Sequence, residues 1–142
     1  MKPGNPAGVT TKLLILAIVS GLLIIPVSCE PAETPATFTS VSGVYTCQET
    51  SPHSGVRRYV VEINRVSGSD NLYIITNFHN SGEIEFIYTE KAGDSLLIDN
   101  QVITGLVVNG SGSIAEDFRM IDLYYETDDA LTVLDYYARY SR

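Results

Sequence analysis

From about Val41 onward the chain is built of short β-branched and aromatic runs divided by clusters of Gly, Asn, Asp and Ser. Within the runs apolar and polar residues alternate, and a period of two places successive side chains on opposite faces of a strand. In residues 59–65, Tyr59, Val61 and Ile63 share a face against Glu62 and Asn64. In 72–78, Leu72, Ile74 and Phe78 lie opposite Tyr73, Ile75 and Asn77, so both faces are expected to be partly covered. In 84–90, Ile84, Phe86 and Tyr88 are expected to face the core, with Glu83, Glu85 and Thr89 toward water.

The dividing clusters fall at 68–71, 80–82, 92–94, 99–100, 109–110 and 128–129. Their residues tolerate left-handed backbone or form local side-chain turns. The gaps are short enough for antiparallel hairpins, in which sequence neighbours pair in space. Runs at 44–49, 59–65, 72–78, 84–90, 96–98, 102–108, 118–126 and 131–140 give eight strands, with a possible ninth at 111–115. The expected fold is all-β: an antiparallel meander of about eight strands forming a small closed, lipocalin-like barrel or a flattened two-sheet sandwich. Closure would remove the exposed edges of an open sheet.

The first residues follow a different pattern. Lys12 precedes an almost wholly aliphatic run from Leu13 to Ile25, which Pro26, Val27, Ser28 and Cys29 end. A basic start, a short apolar helix and small residues before a cut define a secretory leader. The run is interrupted at Ser20 and Gly21 and falls short of the roughly 20 residues that span a bilayer. An uncleaved membrane helix and ordinary secretory cleavage are the alternatives. The expected division is a leader at 1–28, an acylated Cys29 with a flexible tether at 29–40, and a single β-domain at 41–142. The tether reading rests on Pro31, Pro35, Ala32, Ala36 and interspersed threonines, which offer too little apolar pattern to pack.

Charge narrows the partners. The chain carries 9 basic and 17 acidic residues, and loss of Lys2 and Lys12 with the leader leaves 7 against 17. Such a surface opposes phosphate backbones and anionic headgroups, so no nucleic-acid partner is expected. With Cys29 acylated, Cys47 is the one cysteine left, and a buried, inert thiol is expected in its strand-like run.

Catalytic patterns are sparse. His53 and His79 stand in loop-like stretches without a second ligand at close spacing, so both are read as solvated loop residues and no metal is expected. The acidic pairs Glu83 and Glu85, Glu116 and Asp117, and Asp128 and Asp129 are assigned to a solvent face or to turns. Gly105, Gly110 and Gly112 lack the Lys-Ser/Thr of a phosphate loop and are read as turn and bulge residues, so no cofactor is expected. The sequon-like triplets at 109–111 and 94–96 are short enough to arise by chance. The chain has nine tyrosines and no tryptophan. Tyr124, Tyr125, Tyr136 and Tyr137 form two adjacent doublets, a possible binding surface on which one ring of each doublet points outward. Such rings stack on a sugar or a protein partner, or simply pair across strands.

The segment ending at Cys29 resembles the lipobox of bacterial lipoproteins, in which the cysteine receives a diacylglycerol; Pro26 stands where that pattern prefers Leu. The runs SGVYTCQE, YVVEINR, NLYIITNF, QVITGLVVNGSGSI, IDLYYE and the closing YARYSR resemble the small β-rich lipoproteins of Bacteroidota. That resemblance implies a β-meander held at the outer membrane or cell surface by lipid on Cys29, and implies no reaction. The expected function is therefore non-enzymatic binding or surface interaction, with the membrane as one partner and a protein or glycan as another. Two alternatives stay open. YTC and SGVRRY are similar to segments of the periplasmic lysozyme-inhibitor lipoproteins, which implies an acidic inhibitor of a basic enzyme. An eight-stranded barrel is also just wide enough to carry a small apolar ligand.

Overall fold

In the computed structural model residues 36–142 are described. The leader, Cys29 and the first part of the expected tether lie outside the described residues. Among these, eight strands follow one another: β1 (Gly43–Ser51), β2 (Gly55–Arg65), β3 (Leu72–Thr76), β4 (Phe86–Ala92), β5 (Ser95–Ile103), β6 (Leu106–Ile114), β7 (Met120–Asp128) and β8 (Val133–Ser141). A short 3₁₀ turn, Phe78–Asn80, lies between β3 and β4. Each strand pairs antiparallel with the next, and β8 returns to β1, Thr46–Thr50 against Tyr137–Ser141, to close a barrel. The expected meander is present, and closure selects the barrel over the sandwich.

Several boundaries differ from the sequence reading. The cluster at 99–100 is a register shift inside β5, so the runs 96–98 and 102–103 belong to one strand. Asn109 and Gly110 lie within β6, which also absorbs the possible ninth strand. The turn between β5 and β6 is instead Thr104–Gly105, with φ of 50° and 85°. Two central residues at positive φ mark the tight hairpin that matches strand twist, and a threonine there hides it from a residue-type reading. Phe78 leaves β3 for the 3₁₀ turn.

The β4 phase is the opposite of that expected. Register places Ile75 across from Ile87 and Tyr73 across from Thr89. Because Tyr73 and Ile75 are buried, Ile87 and Thr89 face inward, while Phe86 and Tyr88 are exposed and Ile84 is 88% exposed. Thr89 meets the interior by donating its hydroxyl to the Leu97 carbonyl at 2.9 Å. Glu83 and Glu85 sit in the turn before β4, not on a strand.

Side chains fill the barrel. Tyr45, Tyr140, Phe78, Ile63, Ile75, Ile87, Leu96, Ile103, Ile121 and Leu123 are fully buried. One end is closed by residues 36–42 and the C-terminal arginine. Arg142 donates to the carbonyls of Ser40 (2.6 Å), Ser42 (2.7 Å) and Phe118 (2.9 Å), and its guanidinium carbon lies 4.0 Å from the Phe38 ring centre. Arg119 donates to the Ala36 carbonyl at 2.6 Å, so the last residues of the expected tether lie against the barrel. Gly43 adopts φ 143°, and a Cβ there would fall 2.3 Å from Arg142 Nη1. The glycine that starts β1 thus makes room for the clamp.

Gly110 and Gly112 are strand residues, not turn or bulge residues, and the reason is close approach. A Cβ on Gly110 would lie 2.4 Å from the Tyr124 carbonyl oxygen and 2.5 Å from Tyr125 Cβ, and one on Gly112 2.3 Å from Leu123 Cδ2. A strand glycine that another backbone approaches so closely cannot gain a methyl without displacing β7. Gly110→Ala and Gly112→Ala should each lower stability by about 1–3 kcal/mol, the usual cost of overpacking. Denaturant midpoints within error of the parent for both variants would show that the β6–β7 contact is looser than described.

Candidate functional site

Two clusters of chemistry emerge, one inside the barrel and one outside. The inner one starts from alternation on the first hairpin. Tyr45, Cys47, Glu49 and Ser51 are the buried face of β1, and register sets Glu49 opposite Arg57 and Cys47 opposite Tyr59. Glu49 is 1% exposed, so its charge must be matched by hydrogen bonds. Its Oε1 accepts from Arg57 Nε at 2.9 Å and from Arg57 Nη2. Its Oε2 accepts from Tyr59 Oη at 2.5 Å and from Tyr125 Oη, with His79 Nδ1 at 3.3 Å.

His79 is not the solvated loop residue expected from sequence. Asn77, His79 and Asn80 adopt φ of 59°, 56° and 57°, left-handed values most accessible to residues such as Asn and His. The turn is fastened by Asn77, whose Nδ2 donates to the Val60 carbonyl at 2.7 Å and whose Oδ1 accepts from the Gly82 amide at 2.8 Å. This backbone inserts Phe78 into the core and lays the His79 ring over Glu49. The ring stands edge-on to Tyr136 with centres 4.7 Å apart, and Nδ1 lies 2.8 Å from Tyr125 Oη. Since Tyr125 donates to Glu49, it receives from His79, which assigns the ring proton to Nδ1.

Burial by itself would raise the Glu49 pKa; hydrogen bonds from His79, Tyr125, Tyr59 and Arg57 overcome it and hold the carboxyl at about 2. Burial pushes Tyr59 and Tyr125 well above the ordinary tyrosine value, and pushes the Cys47 thiol up to about 12. Such a carboxylate is a weak base, and such phenols are reluctant to release protons. The cluster is therefore built to hold a fixed charge at the barrel end opposite Arg142. Cys47 is the buried thiol expected, with its thiolate disfavoured.

The outer cluster lies on β7 and β8. Register pairs Tyr124 with Tyr137 and Tyr125 with Tyr136, so alternation divides the four expected surface residues. Tyr125 and Tyr136 are inside, stacked with centres 5.2 Å apart and planes 13° apart. They are part of the core, which corrects their assignment to a binding surface. Tyr124 and Tyr137 are outside, with centres 4.9 Å apart, and Tyr124 is 63% exposed. One flank of this outer pair carries an ion pair: Arg139 Nε donates to Asp122 Oδ1 at 2.7 Å, and Tyr137 Oη donates to the same oxygen at 2.6 Å. The other flank carries Glu126 directly across from Asp135. A groove of about 380 Å³ lined by Thr50, Ser51, Pro52, Tyr124, Asp135, Tyr136 and Tyr137 runs along the pair. A second groove, about 520 Å³, lies over Val44, Val60, Glu62, Thr76, Asn77 and Glu83, and no aromatic ring lines it.

The remaining sequence candidates fall apart in space. His53 is exposed in the β1–β2 turn, and Glu116 and Asp117 lie in the β6–β7 turn. Asp128 accepts from the Ala130 amide at 2.7 Å and Asp129 from those of Leu131 and Thr132 at 2.9 and 2.7 Å, so this pair shapes the last hairpin. Among the described residues no group of three or more His, Cys, Asp or Glu side chains gathers to hold a metal. Comparison with protein families and with characterised proteins found no match to the chain.

Glu49 has a folded pKa far below its unfolded value near 4.5. Its stabilising contribution is therefore present above the unfolded value and is lost as pH falls toward the folded one. Between about pH 5 and pH 2 the barrel should lose on the order of 3 kcal/mol through this group. Glu49→Gln should be less stable than the parent at pH 7 and should flatten that acid limb. Parallel pH-stability curves for parent and variant, measured by denaturant titration, would remove Glu49 as the cause.

Proposed function

We propose that the protein is an envelope lipoprotein, moored at the outer membrane or cell surface through lipid on Cys29, whose barrel is a non-enzymatic binding module. The lysine-bearing apolar leader ending in Val27, Ser28 and Cys29 supports the anchor. The observation that carries the binding role is the Tyr124–Tyr137 pair, held outside the barrel beside a groove when the other ring of each doublet is buried. Outward aromatics are amphipathic contact area with little conformational freedom to lose. The chain enters the barrel at the Arg142 end, whereas the pair lies in register with Thr50, toward the other end of β1.

The packed interior argues against carriage of an apolar ligand within the barrel. A second reading, inhibition of a basic enzyme such as lysozyme, draws support from the excess of acidic over basic residues. Residues 54–59 do not add to it, because Tyr59 turns inward onto Glu49.

Mass spectrometry of the protein from its native membranes should find Cys29 amino-terminal and acylated, and Cys29→Ser should release the barrel from the membrane fraction. Tyr124→Ala with Tyr137→Ala should remove a partner crosslinked to the parent, at a cost to the barrel of about 1 kcal/mol from the lost cross-strand pair. Crosslinking that survives in a folded double variant would refute the proposed face, and an unmodified Cys29 would refute the anchor.

A further inference from the structure

We infer that the outer face of β7 and β8 is a docking surface for an arginine-bearing segment of a basic protein, seated on Tyr124 and Tyr137 and held by Glu126 and Asp135. This rests on the binding role proposed above and names its partner chemistry. The tyrosine pair has unlike flanks. Along β7 the outward residues are Asp122, Tyr124 and Glu126; along β8 they are Arg139, Tyr137 and Asp135. Each is opposite its counterpart: Asp122 with Arg139, Tyr124 with Tyr137, Glu126 with Asp135. On one flank an acid meets a base. On the other an acid meets an acid.

The complete flank shows what this surface accepts. Arg139 donates to both Asp122 oxygens, at 2.7 and 3.2 Å, and its guanidinium carbon lies 5.7 Å from the Tyr137 ring centre. That arrangement is a guanidinium over an aromatic face and against a carboxylate. The opposite flank repeats the aromatic and carboxylate parts. Like charges directly across two strands destabilise the pairing. Among the described residues neither Glu126 nor Asp135 forms an ion pair; Asn109 Nδ2 donates to Glu126 at 2.7 Å, which does not neutralise it. A cation supplied by another molecule would relieve the repulsion and stack on Tyr124.

Guanidinium fits better than a compact ammonium, because its planar fork both stacks on a ring and bonds two carboxylate oxygens. The ground on either side favours a chain over a lone cation. Beyond Tyr137 the groove continues over Pro52 and Thr50, and beyond Glu126 another continues over Asn109, Asn100 and Asp99. Residues flanking an arginine in an extended segment thus find an apolar seat on one side and a polar one on the other. The chain's net charge of −8 steers such a partner inward.

The full-length protein in detergent micelles should be titrated by calorimetry with a short peptide carrying a central arginine, with its citrulline counterpart, and with spermidine and calcium chloride. The arginine peptide should bind, weaken as salt rises, and bind at least about tenfold more tightly than the citrulline form, the loss expected when one charge-assisted contact goes. Asp135→Lys should divide stability from binding: it puts a base opposite Glu126, so the melting temperature should rise while the arginine peptide loses at least about tenfold in affinity. Equal binding of the two peptides, unchanged binding by Asp135→Lys, or tighter binding of spermidine or calcium than of the arginine peptide would each overturn the inference. If Asp135→Lys still crosslinks to a partner that the double tyrosine variant loses, the arginine proposal falls and the broader binding role stands.

Discussion

Everything else in this barrel depends on the seam at which β8 pairs with β1, Thr46–Thr50 against Tyr137–Ser141. Closure leaves no sheet edge, and it also fixes which side chains are inside, because a slip of one residue would exchange the two faces. At the observed register Glu49 lies between Arg57 of β2 and Ala138 of β8. A carboxylate committed to the interior then imposes the arrangement around it: Arg57 in phase on the neighbouring strand, Tyr59 and Tyr125 aimed at one oxygen, and a left-handed turn that brings His79 over both. The small Ala138 beside Glu49 leaves the space that these larger groups fill.

The fold was largely legible in the sequence and the inner cluster was not. Period-two runs such as Tyr59, Val61 and Ile63 report their buried face directly, and eight strands were countable from turn residues. Elsewhere residue type and backbone role part company. Thr104 makes a hairpin turn despite its branched side chain, whereas Asn109 and Gly110 look like a turn and lie in a strand because β7 presses against the glycine. In β4 the large apolar residues Phe86 and Tyr88 mark the exposed side, since pairing with β3 decides the phase, and Ile84 lies exposed in the turn before the strand. A signal for the inner cluster did exist. Glu49 continues the phase of Tyr45 and Cys47, and Arg57 that of Tyr59 and Val61, so two opposite charges stood on the buried faces of one hairpin. His79 gave no such signal, because its position depends on left-handed backbone that no periodicity encodes.

The tyrosine doublets show one sequence device serving two purposes. Adjacent residues on a strand face opposite ways, and two doublets in register make two aromatic pairs back to back. The inner pair, Tyr125 and Tyr136, is fixed by Glu49, His79 and the core. Its stacked rings hold β7 against β8, so the outer pair, Tyr124 and Tyr137, is positioned by strands that do not depend on it. A surface that rests on a rigid interior is already ordered before it meets a partner, and little conformational entropy is lost on contact.

Both ends of the barrel are occupied by the chain itself, one by Arg142 with Phe38 and the other by the Glu49 cluster with Phe78. A ligand entering the interior would have to displace a guanidinium making three carbonyl hydrogen bonds or a carboxylate with four polar neighbours. Displacing the partners of Glu49 leaves a buried charge unpaired, at a cost of several kcal/mol. The outer face makes no such demand. There Glu126 and Asp135 already oppose each other, so a cation arriving from solution removes a repulsion and breaks no existing ion pair of theirs among the described residues. Recognition on the outside of the wall is thus the course that leaves intact the interactions that close the barrel.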